Sequence, residues 1–119
     1  MSTSENDIAR RLSKDPIDRM IFEKNIRIKN VFPIKAEDRL IVFLNNGSTI
    51  MVLLSSFDRL KGATQEELDK WALISTGVGI EWDALDEDLS LKGLIQQVST
   101  ENAINLILNR GENTSSLAA

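Results

Sequence analysis

The chain has 119 residues, a net charge of −4, 42% apolar and 27% charged residues, and neither cysteine nor histidine. That length allows one domain with a self-sufficient core, and the composition is globular rather than disordered. The missing cysteines exclude disulfides and thiolate metal sites, and the missing histidines remove the commonest general base near neutral pH.

The opening Met1-Ser-Thr-Ser-Glu-Asn-Asp7 has no basic stretch leading into an apolar run, so no signal peptide is expected. The longest apolar runs are about five residues, against the roughly 20 that a membrane span needs. A cytoplasmic chain is the expectation. Positive charge gathers early, at Arg10, Arg11, Lys14, Arg19, Lys24, Arg27, Lys29 and Lys35, and negative charge over 66–87. The acidic balance argues against a nucleic-acid partner, and the early basic residues keep that alternative open.

In chain order, residues 1–24 read as a polar extension with helical patches at Ile8 and Leu12 and at Ile17, Met20 and Ile21. Asp15-Pro16 can open the second patch, with Pro in its first turn. From Asn25 the period changes: Ile26, Ile28 and Phe32 alternate with Arg27 and Lys29, predicting a half-buried strand ended by Pro33. The runs 40–44 and 49–54 flank Asn45-Asn46-Gly47-Ser48, the strongest short hairpin signal in the chain because Asn and Gly tolerate positive φ.

A short helical piece follows, anchored by Phe57 and Leu60 and ended at Lys61-Gly62. Thr64-Gln-Glu-Glu67 is a capping-box pattern, and Leu68, Trp71 and Ala72 extend it into a helix over 64–72. Residues 73–82 are expected to return as one extended segment with Ile80 and Trp82 on one face. The stretch 71–95, with both tryptophans, Gly77 and Gly79, is the expected architectural centre. A last helix is expected over 98–111, starting at Ser99 or Thr100 and stopping at Gly111, with 112–119 a tail.

No catalytic or cofactor motif is legible. Asp83, Asp86, Glu87 and Asp88 lack the alternating ligands of a calcium loop, and capping of backbone amides by Asp86 or Asp88 is the simpler reading. Metal binding or enzymatic chemistry at that cluster is an alternative. Gly77-Val78-Gly79 is a fragment of a phosphate-binding fingerprint, better read as a close backbone approach beside Trp82. Ser55 and Ser56 have no histidine to activate them. The stripe Ile104, Ile107 and Leu108 is the candidate partner-binding surface, for a second copy or another protein.

The order Met51–Leu60, Ala63–Glu67, Trp71, Gly77-Val-Gly-Ile-Glu-Trp82, Leu85-Asp-Glu-Asp-Leu-Ser90 and Gly93-Leu94 resembles the small bacterial family called domain of unknown function 2442, over about residues 26–95. Trp71, Gly77, Gly79, Trp82, Asp86 and Asp88 carry its signature. Glu81 stands where histidine is frequent in that family, and Asn46-Gly47 replaces an Asp-Gly turn.

The resemblance implies an α+β core over 25–97, with an antiparallel sheet of three or more strands, a hairpin and short helices. It implies no established catalytic activity. Family members stand alone or beside a helix-turn-helix domain, often next to genes for small toxin-like proteins. A non-enzymatic, antitoxin-like or regulatory protein without cofactor, acting through a protein partner, is therefore the expected function.

Overall fold

The computed structural model describes residues 15–108. The patch at Ile8 and Leu12, the stop at Gly111 and the tail 112–119 lie outside the described residues. Helix α1 (Pro16–Lys24) opens as its sequence predicts: the Asp15 carboxylate accepts from the amide of Ile17 at 2.8 Å, and Pro16 fills the first turn. It ends on Asn25 in the left-handed conformation.

Strands β1 (Ile28–Ile34), β2 (Arg39–Leu44) and β3 (Thr49–Leu53) form an antiparallel sheet in that order. The β2–β3 hairpin turns at Asn46-Gly47, with Gly47 at φ +87°. Two expectations for β1 need correction. Pro33 lies within the strand, paired with Leu40, because β1 is an edge and the absent N–H costs no ladder bond there. A bulge between Ile28 and Asn30 also shifts the alternation, so Val31 and Pro33 point inward and Phe32 points out.

Past β3 come a 3₁₀ turn (Leu54–Ser56) and two single-turn helices, α2 (Asp58–Lys61) and α3 (Gln65–Leu68). The capping box is present: Thr64 Oγ1 accepts from the Glu67 amide, and the Glu67 carboxylate accepts from the Thr64 amide. The helix does not reach residue 72. The Leu68 carbonyl accepts from the Trp82 indole at 2.8 Å, while Ala72 has left the helix for a strand pairing with Glu81.

A second antiparallel sheet follows, β4 (Ala72–Ile74), β5 (Gly79–Trp82) and β6 (Glu87–Ser90). The segment expected as one extended piece is thus a hairpin, folded back through Ser75 and Gly77, both with positive φ. The two sheets share a turn type. Lys35–Glu37 and Asp83–Leu85 are 3₁₀ turns, each closed by a left-handed aspartate, Asp38 and Asp86.

Helix α4 (Leu91–Leu108) starts directly after β6, several residues before the expected 98–100. Ser90 is its cap: Ser90 Oγ accepts from the Gly93 amide at 3.0 Å. Residues 91–97, assigned to the core by sequence, are the first half of this helix and carry the buried Leu91 and Leu94.

One core is enclosed between the inner face of the first sheet (Val31, Leu40, Val42, Ile50, Val52), the second sheet (Ile80, Trp82), Leu60, Leu68 and the start of α4. Trp82 is 1% exposed. Gly77 ties the sheets together, its carbonyl accepting from the Ile28 amide at 2.8 Å. A Cβ on Gly77 would run into the Ile28 carbonyl, and one on Gly79 would stand 2.8 Å from the carbonyl of Leu89. The close approach expected at these glycines is real, but it is made to Ile28 and Leu89.

Candidate interaction surface

Helix α4 changes character along its length. Its first half packs on the core through Leu91, Leu94, Ile95 and Val98. Glu101 marks the boundary: its carboxylate accepts from the Leu53 amide at 3.2 Å, the Ser56 hydroxyl at 2.8 Å and the Gln97 amide at 2.9 Å. The Leu53 N–H belongs to the outer edge of β3, so Glu101 covers part of a free strand edge while tying the helix to it.

Beyond Glu101 no described residue of the helix is buried. Residues 102–108 include no charged side chain and are all exposed. Ile104 is 48% exposed, Leu106 67%, Ile107 73% and Leu108 73%. At 1.5 Å per residue this tip extends for about 10 Å. Ile104, Ile107 and Leu108 share one side, as the sequence stripe requires, while Leu106 projects elsewhere.

The tip borders the first sheet across a groove of mixed polar and apolar lining. Ile104 and Asn105 face Met51, Leu53 and Arg39 across a groove of about 380 Å³ between α4 and β3. On the solvent side of the sheet, Phe32, Ile41 and Met51 lie in register across the three strands. Phe32 and Phe43 meet edge to face with centroids 5.5 Å apart. Phe32, Phe43 and Met51 are all exposed. Contiguous apolar residues on a water-facing sheet mark contact surfaces more often than isolated ones do. Sequence reading missed Phe43, Met51 and Leu106. The alternation 39–44 gives the face of Phe43 only once the inner residues of β2 are known.

The other residues singled out by sequence are dispersed. Asp86 does not cap backbone amides; it meets Arg59 at 2.9 Å on the surface, an exposed pair that contributes little. The Asp88 amide is bonded by Glu87 Oε1, and Asp88 is exposed. Among the described residues no three histidine, cysteine, aspartate or glutamate side chains come together to hold a metal ion. Trp71 is half-buried against the core ahead of β4. Ser55 donates to Asp38 at 2.6 Å, closing the first 3₁₀ turn onto the end of β3. Of the early basic residues, Arg27 donates to Thr76 and to the Ile26 carbonyl, and Lys35 to the Lys61 carbonyl. Arg10, Arg11 and Lys14 lie outside the described residues.

One ion cluster is half-buried. Lys92 Nζ stands 3.1 Å from Asp15 and 3.0 Å from Asp18, fastening α1 to the first turn of α4. The Ile17 amide and Lys92 hold the Asp15 carboxyl below the ordinary carboxylate range. Asp18 and Asp15 in turn hold Lys92 above the ordinary lysine value. No helix among the described residues is long and apolar enough to cross a membrane.

Comparison with known proteins places this geometry among uncharacterised relatives. The family model described as "Protein of unknown function (DUF2442)" matches residues 28–99. A crystal structure of a protein of unknown function from Rhodospirillum rubrum is similar at 32% identity and a TM-score of 0.54, over 60% of this chain and 86% of its own. A solution structure of an uncharacterised protein from Chromobacterium violaceum aligns at 23% identity and a TM-score of 0.58, over 82% of this chain and 87% of its own, and speaks to fold alone. No curated protein matches.

Proposed function

We propose that this chain, which belongs to the DUF2442 family of proteins of unknown function, is a non-enzymatic interaction protein that binds a protein partner through the tip of α4. The observation that carries the reading is the uncharged, water-exposed pair of turns bearing Ile104, Ile107 and Leu108 beyond the Glu101 bond to β3. Apolar side chains at that spacing are the anchors by which a helix docks in a hydrophobic groove. Full burial of such a side chain is worth about 1.5–3 kcal/mol, and Ile107 and Leu108 forgo most of that and the half-exposed Ile104 part of it, which a partner surface can recover. The outer face of the first sheet, with Phe32, Phe43 and Met51, extends the contact.

An antitoxin-like or regulatory role toward a small bacterial protein, in the cytoplasm, is the biological setting that fits a contact surface without catalytic groups. Replacing Ile104, Ile107 and Leu108 together by Asp in the full chain tests it. Light scattering and tagged capture from the native host are compared with the unmodified chain. Association or capture by the unmodified chain that the triple variant loses, with unfolding unchanged, supports the reading. Equal behaviour of the two chains refutes it.

A further inference from the structure

Helix α1 is fastened at both ends and buried at no residue. At its C-terminal end, Asn45 in the hairpin turn clamps the connector: its side-chain oxygen accepts from the Arg27 amide at 3.0 Å, and its amide donates to the Asn25 carbonyl at 3.0 Å. At its N-terminal end, Lys92 bridges Asp15 and Asp18. Between these points Ile17, Met20 and Ile21, spaced i, i+3 and i+4, line a partly open, largely apolar cleft of about 280 Å³ together with Ile26, Leu44 and Ile95. The whole of α1 also precedes the family match, which begins at residue 28. Leu44 and Ile95 lie within that match.

We propose that α1 is a releasable strap, pivoting at the left-handed Asn25 and latched by Lys92, whose opening uncovers the apolar surface of Ile26, Leu44 and Ile95 while the core stays folded. The fastening suits this. Asn45 fixes the connector to the hairpin, so motion is confined to the helix ahead of Asn25. The latch is electrostatic and partly solvated, and therefore weakened by salt, unlike the core beneath it. An imperfectly filled apolar contact under a nine-residue helix is the kind of unit that opens below the global unfolding free energy. The device is independent of the α4 tip.

Hydrogen exchange on the full chain tests it, in about 0.02 M and about 0.5 M NaCl. Amides 20–24 in α1 are compared with those of Val42 and Ile80. The unmodified chain is run beside Lys92→Ala and Lys92→Gln, the second keeping an uncharged polar stem. Because the chain has no cysteine, Ile95→Cys supplies a unique thiol whose labelling rate reads the uncovered surface directly.

The strap predicts that salt and either Lys92 variant speed exchange in α1 several-fold, leave Val42 and Ile80 unchanged, and raise thiol labelling in parallel. Common exchange rates for α1 and the strands, moving together, would make α1 part of the cooperative core and overturn the proposal. So would a Lys92→Ala chain that fails to fold, or α1 exchange indifferent to salt. Loosening by Lys92→Ala but not by Lys92→Gln would assign the effect to packing of the stem and overturn the latch. Faster α1 exchange without faster labelling overturns the uncovering.

Discussion

Replacing Trp82 probes the joint between the two halves of the core. Its side chain is 1% exposed, and its indole N–H donates to the Leu68 carbonyl at 2.8 Å, where α3 ends. Burial of about 200 Å² at about 25 cal/mol/Å² sets a ceiling near 5 kcal/mol for the apolar part. Trp82→Ala should therefore cost about 3–5 kcal/mol, the cavity adding to lost transfer energy. Trp82→Phe keeps most of the ring but leaves the Leu68 carbonyl without the indole donor, which costs about 1–3 kcal/mol for an unsatisfied buried group. Urea unfolding followed by circular dichroism gives both values, with an unchanged slope showing that the transition is still two-state. A loss under about 1 kcal/mol for Trp82→Ala would refute the placement of Trp82 in the core.

Gly77→Ala should destabilise by more than about 1 kcal/mol, because φ +107° is unfavourable and the added Cβ meets the Ile28 carbonyl. Gly47→Ala, at φ +87° with open space around it, should cost less; equal costs in thermal melts would show that the Gly77 contact is not tight. The Asp15 carboxyl has its pKa lowered on folding, so its stabilising contribution is present above the unfolded value and lost as pH falls through the ordinary carboxylate range and below. Lys92 has its pKa raised, so its contribution is full below the unfolded value and lost as pH rises through the folded one. Melts across pH should show both losses shrink in Lys92→Ala, and unchanged profiles would contradict the pairing. Submillimolar Mg²⁺, Mn²⁺, Ca²⁺ or Zn²⁺ should leave the melting temperature of the chain unchanged, and a rise of several degrees would reveal a site on the folded state.

What was legible in the sequence was whatever is encoded locally. The Asn46-Gly47 hairpin, the Asp15-Pro16 helix start and the Thr64 capping box each depend on residues a few positions apart, and a buried Trp82 follows from the size of its apolar ring alone. The failures came where a distant partner decided the outcome. Phe32 faces water because of a bulge whose register is set by β2. The helix at Thr64 stops after one turn, with Trp82 donating to the Leu68 carbonyl from 14 positions away. Helix α4 starts at Leu91 and not at Ser99 or Thr100, with Ser90 Oγ bonding the Gly93 amide as a cap at the end of β6. The stripe Ile104, Ile107 and Leu108 is visible in sequence, but its exposure depends on how α4 lies along β3.

The central claim is that the α4 tip serves contact and not stability, and a chain stopped after Glu101 tests it most directly. Unfolding free energy and association state are measured side by side with those of the full chain. The account predicts a cooperative, folded monomer with stability within about 1 kcal/mol of the full chain, since exposed residues away from packing rarely matter more. It also predicts that whatever self-association or partner capture the full chain displays is gone. A shortened chain that fails to fold, or one that associates and captures as the full chain does, would contradict it.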